Sequence, residues 1–366
     1  MNGLPLPLPL LVRVLRDPST AQGLDGAGWD LLLRQADAAN LDAYLLVQLE
    51  DAGLLDTVPA APRAHLEWTR AGAAGHAQAA RYEVRQIARA LDGLGLPLIL
   101  LKGAAYALAG LDAGRGRLFS DIDILVPKAR LPEVEGALMM HGWITTHHDE
   151  YDQRYYRQWM HELPPMQHAR RGNSIDVHHA ILPETAPVRP DPDKLRAAAR
   201  PIAGEPGLAT LAPADMVLHS AVHLFFDGEF DKGLRDLVDM HRLFTEFGAQ
   251  PGFWEALPAR ARELELGRPL FYALRYCPRL LGTVVPPAVQ AAMAWAAPNP
   301  ALLWLMDRLF GRALLPMHAS CADAWSDVAH FALYVRGNWL RMPPQLLARH
   351  LFHKAFITKH NTSQAA

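Results

Sequence analysis

The apolar and polar positions divide the chain into three stretches of different rhythm. Up to about residue 95 the rhythm is helical. Residues 63–94 are rich in Ala, Leu, Glu, Gln and Arg, with Pro62 just before them and Gly93 and Gly95 at their end, so helix formers lie inside and helix punctuation outside. The pattern changes at Leu96-Pro97-Leu98-Ile99-Leu100-Leu101, a short apolar run closed by Lys102-Gly103, which predicts a buried strand ending in a tight turn. A helix follows over 104–111 and a Gly and Arg loop over 112–117. Ser120-Asp121-Ile122-Asp123-Ile124-Leu125-Val126-Pro127 then predicts a second strand from its β-branched residues and terminal proline. Residues 131–141 predict a helix stopped by Gly142, and 143–146 a further strand. The aromatic, charged segment 151–168 predicts a hairpin, and the alternation in Asn173-Ser174-Ile175-Asp176-Val177-His178-His179 one more strand. From Pro213 the rhythm is helical again, over 214–226, 232–247 and onward to about residue 355.

This order predicts an α/β (α+β) fold, predominantly helical overall: a core with a mixed sheet over 96–205, flanked by an N-terminal helical region over 1–95 and a C-terminal helical domain over 206–366. At 366 residues the chain exceeds what one small core fills. Hydrophobic content of 50% with 20% charged residues supplies ample apolar surface to bury and argues against disorder. A formal net charge of −2 gives no reason to expect nonspecific nucleic-acid binding. Two cysteines, Cys277 and Cys321, are too few for a disulfide framework and suit a reducing compartment, so the expected address is cytoplasmic. The opening residues lack a basic segment and carry prolines at positions 5, 7 and 9, against a signal peptide. Every apolar run is interrupted by charge or proline before the ~20 residues of a membrane span.

The chemistry concentrates around the paired acids. Side chains alternate faces along a strand, so Asp121 and Asp123 share one side, roughly 7 Å apart at Cα, while Ile122 and Ile124 anchor the other. Two such carboxylates repel unless a cation lies between them. The alternation of Ile175-Asp176-Val177 turns Asp176 outward, where a neighbouring strand would supply a third metal ligand. Gly103 allows backbone amides to approach phosphate oxygens, and Lys102 beside it is a candidate triphosphate contact. Arg117 and Ser120 are candidates for phosphate or ribose, and His178, on one strand face with Asp176, is a candidate nucleotide contact or a structural hydrogen-bond partner.

Leu100-Leu101-Lys102-Gly103-Ala104-Ala105, the run from Arg117 to Val126, and Ile175-Asp176-Val177-His178 together resemble the DNA polymerase β-type nucleotidyltransferase superfamily. Within it, the chain is most similar to the bacterial uncharacterised nucleotidyltransferases with a Leu-Lys-Gly turn. The resemblance continues through the residues 211–219, His223 and Leu234-Arg235-Asp236-Leu237, and so spans roughly 97–245. It implies a minimal nucleotide-binding sheet and two Mg²⁺ (or Mn²⁺) ions held by Asp121, Asp123 and Asp176. It further implies transfer of a nucleoside monophosphate, AMP foremost, from an NTP to an unassigned small-molecule or protein acceptor, with release of pyrophosphate. Many members have Gly-Ser or Gly-Gly at the phosphate turn, whereas this chain has Lys102-Gly103-Ala104 and lacks that hydroxyl. A catalytically weak or inactive nucleotide-binding or partner-docking module on the same fold is therefore the alternative. A glycosyltransferase using Asp-x-Asp would need an α/β half ahead of the acids, where only helices are predicted.

The remaining polar features read as structure. His219 and His223 lie four apart on one helix face without a metalloprotease Glu, which favours packing or capping over zinc. Arg235 with Asp236 and Asp239 reads foremost as a helix-surface charge cluster and secondarily as facing the cleft. Residues 328–366 contain Arg336, Arg341, Arg349, Lys354 and Lys359 but no acid. They read foremost as terminal helices packing apolar faces inward, and secondarily as a dock for an anionic or protein partner.

Overall fold

The computed structural model describes residues 5–119, 121–146 and 150–343. Ser120 and the terminal basic and apolar residues Arg349, Leu351, Phe352, Lys354, Phe356 and Lys359 lie outside the described residues.

The predicted long helix runs Ala60–Leu91 and ends in a 3₁₀ turn at Asp92–Leu94. Its buried positions Leu66, Ala73, Ala80, Val84, Ile87 and Leu91 recur every three, four or seven residues, the single stripe of a 3.6-residue period. Behind it lies one mixed sheet of seven strands, ordered β3-β4-β5-β2-β1-β7-β6. The strands are β1 (Leu98–Leu100), β2 (Asp121–Leu125), β3 (Trp143–Thr145), β4 (Met166–His168), β5 (Ser174–His178), β6 (Arg200–Pro201) and β7 (Leu208–Thr210). β2 is central, antiparallel to β1 and parallel to β5, and β1 is parallel to β7. Ile122, Ile124, Ile175 and Val177 are all buried, so the aliphatic half of each alternating strand fixes which face the acids take.

Helices dominate before and after the sheet, as predicted. The helices Pro213–Phe226, Gly233–Gly248, Gly267–Tyr276, Pro300–Ala313 and Ser326–Arg341 join the sheet in one continuous apolar core from Leu10 to Leu333. No helix among the described residues is long and apolar enough to cross a membrane.

Two expectations are corrected. The hairpin expected over 151–168 is instead a helix, Glu150–Trp159, followed by β4. Its aromatics favour a strand in isolation. Helical spacing, however, lets Arg157 bond Gln153 one turn back at 3.0 Å while both of its terminal nitrogens reach Glu135 at 2.9 and 2.6 Å. The Ser326–Arg341 helix turns Ala329, Leu333 and Gly337 inward, but leaves Phe331, Val335 and Trp339 exposed. Small residues face inward because the helix packs directly on backbone: a Cβ on Gly337 would lie 2.6 Å from the Asp227 carbonyl oxygen and 2.7 Å from the Gly228 Cα.

Candidate active site

β2 and β5 bring the three aspartates together. In their parallel register Asp121 lies beside Ser174 and Asp123 beside Asp176. Partnered residues of adjacent strands share a face, so all three carboxylates project to one side. One oxygen from each lies within 4.8 Å of the others, close enough for shared cation ligation after small side-chain adjustment. Their environments differ. Asp123 is buried, and its Oδ1 accepts from Lys102 Nζ at 3.2 Å and His178 Nε2 at 3.0 Å. Burial works against its charge, but Lys102 and His178 outweigh it and hold this carboxyl far below the usual range. Asp176 is pushed up to about 7 by burial and by the nearby charges of Asp123 and Glu162. A cation among the three would relieve that crowding, so the donor set fits a divalent metal.

The turn after β1 is built differently from the sequence expectation. The strained residue is Lys102, with φ at 45°, a region costly for side chains other than Gly, Asn or Asp. Gly103 serves a close approach instead: a Cβ there would fall 2.0 Å from an Arg117 terminal nitrogen. Arg117 lies flush on the turn, donating from Nε to Asp239 Oδ2 at 2.8 Å, with the Phe119 and Tyr106 rings 5.7 and 5.8 Å away. Asp239 is thus no surface charge; it is buried beneath Arg117. Burial opposes the Lys102 ammonium, yet Asp123, Asp121 and Asp227 together keep it firmly protonated.

Two cavities meet at these carboxylates, sharing Lys102, Asp121, Asp123, His223, Asp227 and Glu229. The first, of about 290 Å³, is lined by Gly103, Arg117, Lys232, Arg235 and Asp236. The second, of about 400 Å³, holds Asp176, His178, His161, Glu162, His219 and the tyrosines Tyr155, Tyr156 and Tyr334. Arg235 and Asp236, expected on a helix surface, form a 2.7 Å ion pair in the first cavity wall.

A family model described as uncharacterised nucleotidyltransferase matches residues 25–282, a span that includes the whole sheet and both helices carrying His219, His223 and Arg235. The chain belongs to this family. No curated protein matches it.

In this family member the structure brings together every described residue that the sequence offered as a catalytic, metal or nucleotide-binding candidate. Asp121, Asp123 and Asp176 share one face; Lys102, Gly103 and Arg117 line the first cavity, and Asp176 and His178 the second. Sequence reasoning missed Glu162, His161 and Asp227. Glu162 and His161 fall in the segment expected as a hairpin, where backbone bonds from Leu163 N to Val177 O and from His179 N to His161 O, 2.9 and 2.8 Å, lay them beside the end of β5. Asp227 follows the last turn of Pro213–Phe226 and bonds Arg341 at 2.6 Å, a contact across 114 residues that no local pattern announces. His223, expected to pack or cap, sits 3.4 Å from Asp227 and 3.6 Å from Asp236, at the junction of the two cavities.

Proposed function

We propose that this protein transfers a nucleoside monophosphate, AMP foremost, from an NTP to a hydroxyl or phosphate of an acceptor and releases pyrophosphate. The observation that carries the reading is the in-register β2–β5 pairing, which sets three carboxylates at the junction of two cavities. Asp121, Asp123 and Asp176 would hold Mg²⁺ or Mn²⁺, two ions in the superfamily manner, which when bound neutralise triphosphate charge and polarise the α-phosphorus. The triphosphate belongs in the first cavity, against Arg117, Lys102 and Arg235, with the close-packed Gly103 turn at its wall. The acceptor belongs in the second, on the Asp176 side.

The acceptor oxygen attacks the α-phosphorus, the bond to the bridging oxygen breaks, and the electron pair leaves with pyrophosphate. The acceptor proton passes to Asp176, the carboxylate of the three that lines only the acceptor-side cavity. His178 holds Asp123 in place through its 3.0 Å bond. The helices after residue 206 act as the acceptor-binding unit, and two free buried cysteines accord with a cytoplasmic address.

One observation favours a second reading, a nucleotide-binding module without turnover: Lys102 is bonded to Asp123, and the turn offers Ala104 where a hydroxyl would help hold phosphate. Incubation with α-labelled ATP and Mg²⁺ or Mn²⁺ across small-molecule and protein acceptors decides between them. Labelled product with pyrophosphate, lost in Asp176→Asn, supports transfer. Tight ATP binding without pyrophosphate release supports the module.

A further inference from the structure

Beside the aspartates, the second cavity contains a cluster of a different chemical kind. His161, Glu162 and His178 each offer a ligand atom, all within 4.8 Å of one another. The backbone fixes them there, since Glu162 forms an antiparallel bridge with His178 at the end of β5. Two of their ring nitrogens have no hydrogen bond. His178 is 4% exposed and spends Nε2 on Asp123. Its Nδ1 faces a Glu162 oxygen at 3.2 Å but has no hydrogen bond, and the buried Nδ1 of His161 has none either. With Nε2 turned to Asp123, His178 presents Nδ1 to the Glu162 carboxylate at 3.2 Å, so a proton or a metal cation has to lie between the two. Two buried ring nitrogens without a hydrogen bond thus stand beside a carboxylate in one wall of the second cavity.

We infer that His161, Glu162 and His178 form a transition-metal site of the zinc type, separate from the aspartate centre, with His161 Nδ1, His178 Nδ1 and a Glu162 oxygen as ligands and further positions open to the second cavity. Two imidazoles and one carboxylate are a donor set for zinc-like ions, whereas Mg²⁺ takes oxygen ligands. Bonds of about 2.1 Å set tetrahedral ligand atoms about 3.4 Å apart, so the cluster closes on an ion with shifts of about 1 Å. The Asp123 carboxylate accepting from His178 Nε2 then takes the place of the outer partner that orients a metal-bound imidazole. The bound ion would fix His178, and through it Asp123, which makes His161 and Glu162 positioning residues for the aspartate centre.

The full chain, stripped with chelator and titrated with Zn²⁺ alone by calorimetry, is expected to bind one tight equivalent. Co²⁺ in its place is expected to give the intense visible absorption of a four- or five-coordinate nitrogen and oxygen site. The Asp121→Asn/Asp176→Asn double variant keeps that equivalent; His161→Ala loses it. Metal-free His161→Ala melting like the metal-free parent by circular dichroism separates loss of the site from loss of the fold. Should it melt earlier, Glu162→Gln carries the test, with loss of the intense Co²⁺ absorption expected. A tight Zn²⁺ equivalent unaffected in His161→Ala and Glu162→Gln, absence of any tight equivalent in the parent, or its disappearance in the aspartate double variant would each overturn the assignment. None of these readouts depends on transferase activity.

Discussion

The two cavities that meet at Asp121 and Asp123 are both highly charged, but they balance that charge differently. In the first, positive and negative groups neutralise each other in pairs: Arg117 with Asp239 at 2.8 Å and Arg235 with Asp236 at 2.7 Å. The second also holds a pair, Arg341 with Asp227 at 2.6 Å, but there Asp176 is pushed up to about 7, burial raises Glu162, and two histidine nitrogens have no hydrogen bond. Paired charges make a preorganised wall that needs no rearrangement when an anion arrives. Unpaired ones mark where the folded chain carries an electrostatic cost that a bound cation and a reacting proton can remove. Under the proposed function, the contrast gives rigidity to one side of the carboxylates and chemistry to the other.

The sharpest test of that contrast is activity. Asp176→Asn, which removes the group on the unpaired side, is expected to lower pyrophosphate release on the order of 10³-fold or more, about 4 kcal/mol at the transition state, in a labelled-ATP assay. Retained turnover would move the chemistry elsewhere.

Disturbing the paired side should cost stability first. Asp239→Asn strands the Arg117 guanidinium in a buried wall, and an unfolding free energy lower by about 3 kcal/mol is expected in urea titration. A change within ~0.5 kcal/mol would mean that this pair is not the support it looks to be.

The pH dependence of the metal-free protein tests the raised carboxyl on the unpaired side. Asp176 ionises near 3.8 when unfolded and near 7 when folded, so between these values the fold keeps a proton that the unfolded chain has released. Its contribution therefore favours folding most below about pH 4 and is lost as pH rises through 7. Asn carries no such penalty. Metal-free Asp176→Asn should match the parent's pH trend less this loss, gaining relative stability from pH 4 upward to a plateau above 7 of at most ~4 kcal/mol. Parallel stability-pH curves for the two would remove the raised carboxyl from the account.

The smallest expected effect lies at the turn. Gly103→Ala forces the Arg117 guanidinium off its seat, since the added carbon would meet it at 2.0 Å. A loss of ~1–2 kcal/mol in thermal melts is expected, with weaker ATP binding by the displaced arginine. An unshifted melt with unchanged ATP affinity would show that Arg117 has room to move.

Much of this contrast was readable before folding, though unevenly. The alternation Asp121-Ile122-Asp123-Ile124 and Ile175-Asp176-Val177 shows on its own which residues face the core and which face out, because strand periodicity is local. The Ala60–Leu91 helix and the return to helices after Pro213 are local in the same sense. The Glu150–Trp159 helix was not readable, because its tyrosines and tryptophan suit a strand and the contact that secures it, Arg157 to Glu135, crosses 22 residues. With that segment misread, Glu162 and His161 could not be placed beside His178.

What the sequence alone determined is the set of aspartates, the helix-sheet-helix order, the Lys102-Gly103 turn and the family these motifs suggest. Only the tertiary structure decided that β2 and β5 pair in parallel with Asp123 beside Asp176, that Gly103 is small to admit Arg117, and that Asp239 is a buried counterion and not a surface charge. The reason is physical. Periodicity sets the face a side chain takes along its own element, whereas strand neighbours, charge pairing and the resulting shifts in ionisation depend on distances between segments that the chain brings together only by folding.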